Sequence, residues 1–257
     1  MESLFRLDGR IALVTGASSG LGRHFTDVLI NAGASVALAA RRTERLHEIA
    51  KKIEGRGGRA VVCEMDVTKP KTIGPSFNRI EEELGTIDVL VNNAGIASTS
   101  LGLELSETDW DEVIDTNLKG AWLVAQQAAQ RLIRVNKSGT IINIASILGY
   151  RVAKGVSSYA ASKAALIQLT QALALEWAKD KIRVNAIAPG YFLTEMNKEL
   201  FEQNNRANEA IVRNIPQRRI GDPEELTGAL LLLASNASSY MTGSTIVVDG
   251  GHMQSSL

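Results

Sequence analysis

The sequence predicts a doubly wound α/β domain, with one seven-stranded parallel sheet and helices on both of its faces. Strand-like apolar runs alternate with longer helix-like runs along all 257 residues, a pattern typical of parallel sheets. A glycine-rich turn, Gly16-x3-Gly20-x-Gly22, follows the first apolar run. Turns of this kind join the first strand to the first helix of doubly wound sheets.

The individual elements follow from hydrophobic periodicity and from turn residues. The predicted strands are Arg10–Val14, Ser35–Ala39, Arg59–Met65, Val89–Val91, Thr140–Ala145, Arg183–Ala188 and Thr245–Val248. The predicted helices are Gly20–Ala32, Thr43–Gly55, Lys69–Leu84, Ser106–Arg134, Val156–Lys179 and Pro223–Ser235. The last helix has an acidic N-cap, Asp222, followed by a proline and then by a glutamate at the third helical position.

One segment of the chain has no clear strand or helix pattern. Residues 190–221 are polar and carry mixed charges. We interpret them as a substrate-binding lid, or as short mobile helices, within a single domain that spans residues 1–257. A plain surface insertion is the alternative.

Composition narrows the class of protein. Lysine plus arginine total 28 residues, and aspartate plus glutamate also total 28. Because the chain has no excess of either charge, its composition does not indicate a nucleic-acid or membrane partner. The single Cys63 cannot form an internal disulfide, and the three histidines lack metal-ligand spacing, so we expect no metal. The chain opens without a signal-peptide pattern, and no apolar run has membrane-spanning length. We therefore expect a cytoplasmic protein.

A tyrosine and a lysine provide the strongest functional signal. Tyr159 and Lys163 lie four residues apart in a predicted helix, thirteen residues after Ser146, so they share one helix face. A phenol ionises near pH ~10, and a nearby ammonium favours the ionised form. The pair predicts a proton donor and acceptor near neutral pH. With the Ser146 hydroxyl on the substrate oxygen, this predicts reversible carbonyl and alcohol chemistry beside a hydride carrier.

The glycine-rich turn predicts where that carrier binds. In TGASSGLG, residues 15–22, the glycines let the backbone approach a pyrophosphate, which the N-terminus of the next helix attracts. Alone, the motif is equally consistent with an ordinary strand-to-helix turn. Combined with Ser146, Tyr159 and Lys163, it favours a dinucleotide site.

The residues after the second predicted strand indicate which dinucleotide binds. NAD enzymes usually place a carboxylate about twenty positions beyond the glycines, whereas this chain has Ala40 followed by Arg41 and Arg42. Without a carboxylate nothing repels a 2′-phosphate, and a guanidinium pairs well with one. Ser18 adds a hydroxyl donor. The pattern predicts NADP(H), although the arginines are also compatible with a simple surface role.

Taken together, these motifs resemble the classical short-chain dehydrogenase/reductase family, including its ketoacyl-carrier-protein reductases. The motifs follow the family's order over almost the whole chain. They are TGASSGLG, Asp66-Val67, Asn92-Asn93-Ala94-Gly95, Asn117, Ser146, Tyr159-x3-Lys163 and Pro189-Gly190. The resemblance implies a Rossmann domain and an oxidoreductase.

The resemblance also implies a cofactor site that extends along the chain. Asp66 would bind adenine, the 93–95 segment would pass beneath the dinucleotide, and Pro189-Gly190 with Thr194 would hold the nicotinamide end. The predicted cofactor-binding residues are Gly16, Ser18, Ser19, Gly20, Leu21, Gly22, Arg41, Arg42, Asp66, Val67, Asn93, Ala94, Gly95, Tyr159, Lys163, Pro189, Gly190, Phe192 and Thr194.

Catalytic roles are likewise implied by the resemblance. Tyr159 is the acid/base, and Lys163 binds the nicotinamide ribose and lowers the pKa of the phenol. Ser146 positions the substrate oxygen, and Asn117 supports a water that connects Lys163 to solvent. The predicted substrate-binding residues are Ser146, Leu148, Tyr150, Val152, Tyr159 and Tyr191. With Ile147 and residues 190–221, the residues Leu148, Tyr150, Val152 and Tyr191 would form a largely apolar lining, which favours a hydrophobic or neutral ketone.

Several functions compete. The favoured one is an NADP(H)-dependent oxidoreductase of ketones or secondary alcohols. A 3-oxoacyl-[acyl-carrier-protein] reductase is the alternative, although Asp180, between Lys179 and Lys181, replaces an arginine that such enzymes use to dock the carrier. A non-catalytic nucleotide-sensing regulator would typically lose Tyr159 or Lys163. A sugar-nucleotide epimerase would need a larger substrate domain.

We also expect self-association. The predicted helices Ser106–Arg134 and Val156–Lys179 are richer in apolar and small residues than one sheet face requires. The resemblance implies a four-helix contact between subunits and a second contact through the C-terminal strand. Two such interfaces generate a homotetramer, with a dimer as the alternative.

Overall fold

A parallel sheet organises the chain. The computed structural model describes residues 2–193 and 205–255. Seven parallel strands are ordered β3-β2-β1-β4-β5-β6-β7, which confirms the predicted doubly wound fold. The strands are β1 (Ile11–Thr15), β2 (Ser35–Ala40), β3 (Ala60–Glu64), β4 (Val89–Asn92), β5 (Gly139–Ile144), β6 (Ile182–Pro189) and β7 (Thr245–Val248). The strand order reverses between β1 and β4, so a crevice opens at the carboxyl ends of these strands.

Eight α-helices lie among the described residues. They are α1 (Gly20–Asn31), α2 (Thr43–Glu54), α3 (Pro70–Glu83), α4 (Glu107–Ile114), α5 (Ala121–Arg134), α6 (Ser157–Trp177), α7 (Asn205–Asn214) and α8 (Thr227–Ala234).

Apolar side chains fix the helices to both faces of the sheet. Phe25 of α1 and Leu230 of α8 are fully buried on one face, and Phe77 of α3 is buried on the other. Successive strand residues point to opposite faces, so Val14 joins the first core and Leu13 the second. The strands are therefore covered on both sides, and their carboxyl ends form the rim of the crevice.

The predicted helix Ser106–Arg134 is wrong in one respect, because it is not continuous. α4 ends at Ile114, a π-helical turn covers Asp115–Gly120, and α5 begins at Ala121. A π turn adds a residue without ending the helix. The apolar pattern therefore continues through the turn, and hydrophobic periodicity does not reveal it.

The predicted helix Pro223–Ser235 begins with a different kind of turn. Pro223–Leu226 form a 3-10 turn, and α8 follows directly. The predicted start signal is nevertheless present, since the Asp222 backbone N–H donates to Glu225 Oε2 at 2.9 Å. The cap fixes where the helical run begins but not the type of its first turn.

The two ends of the segment 190–221 are hydrogen-bonded to each other, and the Gln217 N–H also donates to the Gly250 carbonyl at 3.2 Å. The Gly221 N–H donates to the Tyr191 carbonyl at 3.0 Å, and the Leu193 N–H donates to the Gly221 carbonyl at 3.3 Å. Helix α7 lies inside this segment. Thr194 and the central part of the predicted lid, residues 194–204, lie outside the described residues.

Candidate active site

A cleft of about 410 Å³ lies at the carboxyl ends of the strands. Of the predicted cofactor residues in the described chain, all but Gly22 line it, and Thr194 lies outside that part. Sequence reasoning did not assign several further lining residues to the site. They are Ala39, Met65, Ile96, Thr116, Ile144 and Ala145, and the lining also includes Thr15 of the glycine-rich motif and Ala40 at the predicted acid position.

The glycine-rich turn brings its backbone unusually close to neighbouring strands. A Cβ atom on Gly22 would collide with the Gly16 carbonyl oxygen and would lie 2.5 Å from Asn93 Nδ2. Gly16 has φ +67°, a conformation that favours glycine. Gly22 does not line the cleft. Because it has no side chain, however, α1 can begin directly beside the cleft. This cradle fits a bound pyrophosphate.

Thr15 and Asn93 join the ends of β1 and β4. Thr15 Oγ1 accepts hydrogen bonds from the backbone N–H groups of Asn93 and Ala94, both at 3.0 Å. Asn93 Nδ2 donates to the Thr15 carbonyl at 3.0 Å. The residues predicted to pass beneath a dinucleotide are thus fixed to the glycine-rich turn. The sequence signal for Thr15 is its place as the first residue of the TGASSGLG motif, at the end of an apolar strand.

Asp66 forms a fixed carboxylate near the end of β3. Thr68 donates to Asp66 Oδ1 through its backbone at 3.1 Å and through its hydroxyl at 2.7 Å, and Lys69 Nζ lies 3.4 Å from Asp66 Oδ2. Burial opposes ionisation, but these contacts outweigh it, so the pKa of Asp66 lies below its usual value. Asp66 is therefore an ionised acceptor at neutral pH.

The end of β2 presents positive charge to the cleft. Ala40 is the last residue of β2, and the exposed Arg41 and Arg42 follow it in the cleft lining. Neither guanidinium forms a hydrogen bond or an ion pair with another residue of the ranges 2–193 and 205–255. This donor set fits a phosphate group on the ribose.

Ser146, Tyr159 and Lys163 meet at the other end of the cleft. Ser146 follows β5, its Oγ accepts from the Leu148 backbone N–H at 3.1 Å, and its side chain is hydrogen-bonded to Tyr159. Lys163 Nζ donates to the Ile144 carbonyl at 2.7 Å and lies 5.6 Å from the centre of the Tyr159 ring. The helix spacing of four does place the phenol and the ammonium side by side.

Burial governs the protonation of this group. Burial raises the pKa of Tyr159, while the hydrogen bond with Ser146 acts in the opposite direction. Burial lowers the pKa of Lys163 to about 8. The expected lowering of the Tyr159 pKa by Lys163 is therefore not what the structure shows. The Lys163 ammonium is itself desolvated and donates to the Ile144 carbonyl. The free-energy cost of removing the Tyr159 phenolate from water is greater than the attraction between the phenolate and this ammonium.

Asn117 braces two parts of the site from within the π-helical turn. Its Oδ1 accepts from the Ile96 N–H at 2.8 Å, and its Nδ2 donates to the Ile96 carbonyl at 2.9 Å and to Ser162 Oγ at 3.1 Å. A Cβ atom on Gly95 would lie 3.2 Å from Asn117 Oδ1 and 3.6 Å from Lys163 Nζ. Asn117 thus lies near Lys163, and its role in a water relay stays a prediction.

The substrate end is more polar than the sequence indicates. Tyr191 lines the cleft together with Ser146 and Tyr159. Tyr150 and Val152 are 48% and 89% exposed and do not line it among the described residues. Leu148 contributes only its backbone N–H, to Ser146. These three substrate assignments stay predictions.

The described ranges contain neither a metal cluster nor a membrane-spanning helix. Residues 2–193 and 205–255 contain no group of three or more His, Cys, Asp or Glu side chains able to hold a metal ion. Over the same ranges, no helix is long and apolar enough to cross a membrane.

Comparison with known proteins identifies the family. A family model described as "Enoyl-(Acyl carrier protein) reductase" matches residues 16–253. The 3-oxoacyl-[acyl-carrier-protein] reductase of Thermotoga maritima is 40% identical over 246 residues, which cover 96% of this chain and 98% of that protein. The chain belongs to the short-chain dehydrogenase/reductase family. As a short-chain dehydrogenase/reductase, it is an oxidoreductase.

Other members of the family show a different substrate class. The 2-dehydro-3-deoxy-D-gluconate 5-dehydrogenase of Escherichia coli K12 is also 40% identical to this short-chain dehydrogenase/reductase, over 249 residues and 97% of each chain. A solved gluconate 5-dehydrogenase from Burkholderia cenocepacia J2315, in complex with NADP and tartrate, superposes with a TM-score of 0.95. Its sequence identity is 34%, and the match covers 99% of both chains.

Proposed function

We propose that this short-chain dehydrogenase/reductase transfers a hydride between NADP(H) and a ketone or secondary alcohol, with Tyr159 as the acid/base. The observation that carries the proposal is the meeting of Ser146, Tyr159 and Lys163 at one end of a cleft. The other end of the same cleft holds Arg41 beside Ala40.

Each part of the cofactor is assigned to a part of the cleft. The glycine-rich turn and the start of α1 would hold the pyrophosphate, Asp66 and Val67 the adenosine, and Arg41 the 2′-phosphate. The NADP complex of the Burkholderia cenocepacia relative supports this choice of dinucleotide. When bound, NADP(H) supplies or receives the hydride.

The side chains of the chain itself handle the proton. The pKa of Tyr159 is raised, so its phenol is protonated at neutral pH and can donate to the substrate oxygen as negative charge develops there. The Ser146 hydroxyl donates to the same oxygen and orients it. Lys163, with a pKa of about 8, can return a proton to Tyr159. In alcohol oxidation the same transfers run in reverse.

The relatives do not decide between two substrate classes. The carrier-protein reductase and the sugar-acid dehydrogenase share the same 40% identity with this chain. An acidic carrier protein would need cations near α5 that are free to pair with it, but Arg134, although 62% exposed, pairs with Glu81 at 3.1 Å, and Lys137 pairs with Asp88 at 2.8 Å. These pairs favour a small ketone, with a 3-oxoacyl-[acyl-carrier-protein] reductase as the alternative. A non-catalytic nucleotide sensor is less favoured because Tyr159 and Lys163 are both present.

Steady-state kinetics with NADPH test the proposal. The substrates are 5-keto-D-gluconate, an acetoacetyl thioester of N-acetylcysteamine and acetoacetyl-carrier protein, with turnover followed by the loss of reduced-nicotinamide absorbance. We expect Tyr159→Phe to lower kcat by ~10²-fold or more, since positioned proton transfer is lost, and to leave NADPH binding largely intact. The matched control is Tyr240→Phe, at a fully exposed tyrosine. More than about a tenth of kcat remaining in Tyr159→Phe would be incompatible with the assigned role.

A further inference from the structure

A tight turn near the C-terminus lies against the catalytic end of the cleft. Gly250 and Gly251 have φ of +63° and +85°, a region open to glycine, so the chain reverses after β7. The Asp249 carboxylate then accepts hydrogen bonds from the N–H groups of Gly251 at 2.8 Å and Met253 at 2.6 Å. These bonds fix the 3-10 turn His252–Gln254, which we call the C-terminal turn.

The loop that follows Ser146 is anchored to the C-terminal turn. Arg151 Nη1 donates to Ser255 Oγ at 2.8 Å and also to the carbonyl oxygen of His252. Ser255 Oγ in turn donates to the same His252 carbonyl at 2.9 Å. A displacement of the C-terminal turn would therefore be transmitted to the loop that carries Ser146.

The C-terminal turn also reaches the cleft lining through an aromatic contact. The rings of His252 and Tyr191 lie with centres 5.7 Å apart and planes inclined by 32°, a geometry favourable for aromatic pairs. Tyr191 lines the cleft with Ser146 and Tyr159. Ionisation of Tyr191 would raise the pKa of Tyr159, so the two phenols are close enough to interact.

We propose that the C-terminal turn is a wall of the substrate pocket, in which His252 positions Tyr191 and the Tyr191 hydroxyl binds a second oxygen of the substrate. This inference rests on the proposed function. Ser146 and Tyr159 serve the reacting carbonyl oxygen, and Tyr191 is a further hydroxyl-bearing residue of the same lining. The preferred substrate is a ketone with a hydroxyl group on the neighbouring carbon, because a site built around a substrate hydroxyl discriminates against analogues that lack one.

Two ketones that differ by one hydroxyl group test the role of Tyr191. Acetoin and 2-butanone share a carbon skeleton, and kcat/KM is measured for both with saturating NADPH. We expect the wild type to prefer acetoin, and Tyr191→Phe to reduce this preference by ~3- to 10-fold, the effect of one neutral hydrogen bond. NADPH affinity is expected to stay unchanged, and Tyr240→Phe again serves as the control. A wild type without a preference for acetoin, or an unchanged preference in Tyr191→Phe, overturns the inference.

A second pair of variants tests the role of His252. His252→Phe keeps an aromatic ring against Tyr191, whereas His252→Ala removes it, so we expect only His252→Ala to lose the preference for acetoin. The control is His47→Ala, at an exposed position of α2. Equal preferences in both His252 variants would refute positioning by ring contact. A wild type that reduces neither ketone nor any substrate of the wider panel would refute the proposed function as well.

Discussion

Burial gives the two central side chains of the site different protonation states. Lys163 is 4% exposed and has a pKa of about 8, whereas burial raises the pKa of Tyr159. At neutral pH the phenol is protonated, and the ammonium is charged but close to its titration range. Because the pKa of Lys163 is lowered and that of Tyr159 is raised, Lys163 is the stronger acid and can replace a proton that Tyr159 gives up.

The buried lysine should make stability depend on pH. Its pKa is about 8 in the folded protein and 10.5 when exposed, so the unfolded chain binds more protons between these values. The contribution of Lys163 to the free energy of unfolding therefore rises with pH across this window, by up to roughly 3 kcal/mol. Cys63, whose pKa burial raises from 9.0 to about 11, contributes in the opposite direction above its unfolded pKa, so the Lys163 contribution is measured as the difference in slope between wild type and variant. We expect Lys163→Met to flatten this rise in urea titrations. Lys179→Met, at an exposed lysine, should keep it, and equal slopes for wild type and Lys163→Met would argue against a titrating buried lysine.

A single residue at the end of β2 should control the choice of dinucleotide. In Ala40→Asp a carboxylate repels a 2′-phosphate and can accept from a ribose 2′-hydroxyl. We expect the Kd of NADPH to rise ~10-fold or more and the Kd of NADH to fall, since hydrogen bonds to charged groups contribute about 1.5–3 kcal/mol. Fluorescence titration measures both constants, with Ala40→Asn as the uncharged control. Wild-type protein that binds NADH as tightly as NADPH would contradict the prediction.

At the scale of single residues, the sequence predicts which residues form the site better than it predicts how buried each of them is. The motif spacing predicts that Ser146, Tyr159 and Lys163 meet, because strand ends and helix faces have fixed geometry. It does not predict the direction of the Tyr159 pKa, which depends on the burial of the phenol by residues distant in sequence. It also does not predict that Tyr150 is 48% exposed and is not among the described residues that line the cleft.

Among the elements, the π-helical turn Asp115–Gly120 links the two ends of the cleft. Asn117 binds Ile96 and Ser162 at the catalytic end. At the other end, Gly120 packs so closely against Val67 that a Cβ atom would lie 2.7 Å from its Cγ2. Val67 lines the region predicted to hold adenosine. One turn thus sets the position of groups on both sides of the site.

A methyl group at Gly120 should disturb this link. In Gly120→Ala the new Cβ meets Val67 and the Asp115 carbonyl oxygen, the latter at 3.0 Å, and overpacking of this kind costs about 1–3 kcal/mol. We expect lower stability in urea and weaker NADPH binding. Gly228→Ala is the matched control, because a Cβ there meets nothing within 4 Å and alanine is the better helix former by ~1 kcal/mol. Similar losses in both variants would show that close packing is not the cause.

The elements that sequence reasoning missed share one physical origin. Hydrophobic periodicity predicts the strands and most helices within a few residues, since burial on the sheet imposes it. The π turn and the 3-10 turn Pro223–Leu226 change the hydrogen-bond pattern without changing which residues are apolar. The pattern of hydrophobic residues therefore does not predict these two turns.

On the scale of the whole molecule, one outer surface is more apolar than a solvated surface needs to be. On α6, Ala161, Ala164 and Ala172 are exposed, and Leu175 is 84% exposed. Trp122 on α5 is also exposed. Apolar side chains next to small ones are typical of surfaces on which helices of another subunit pack closely. We propose that this surface forms the helix contact of a homotetramer, with the β7 edge as the second interface.

Charged substitutions on α6 test the proposed assembly. Ala165→Glu and Ala172→Glu place carboxylates on the proposed contact, so we expect light scattering at micromolar concentration to change from four chains to two or one. Ala165→Ser and Ala172→Ser keep small side chains and should remain tetrameric. A wild-type mass of one or two chains would refute the tetramer, and a wild-type tetramer that tolerates both glutamates would refute the assigned surface.

The closed base of the 190–221 segment has a consequence for protein engineering. Tyr191, Leu193 and Gly221 hold the two ends of the 190–221 segment together through backbone hydrogen bonds. The chain between these residues is therefore attached to the sheet at two neighbouring positions. Loops of different length and composition can be grafted between these residues, because the distance that each loop must span stays the same. Chimeras that exchange this segment between relatives of different specificity should therefore keep their fold and differ in the substrates they accept.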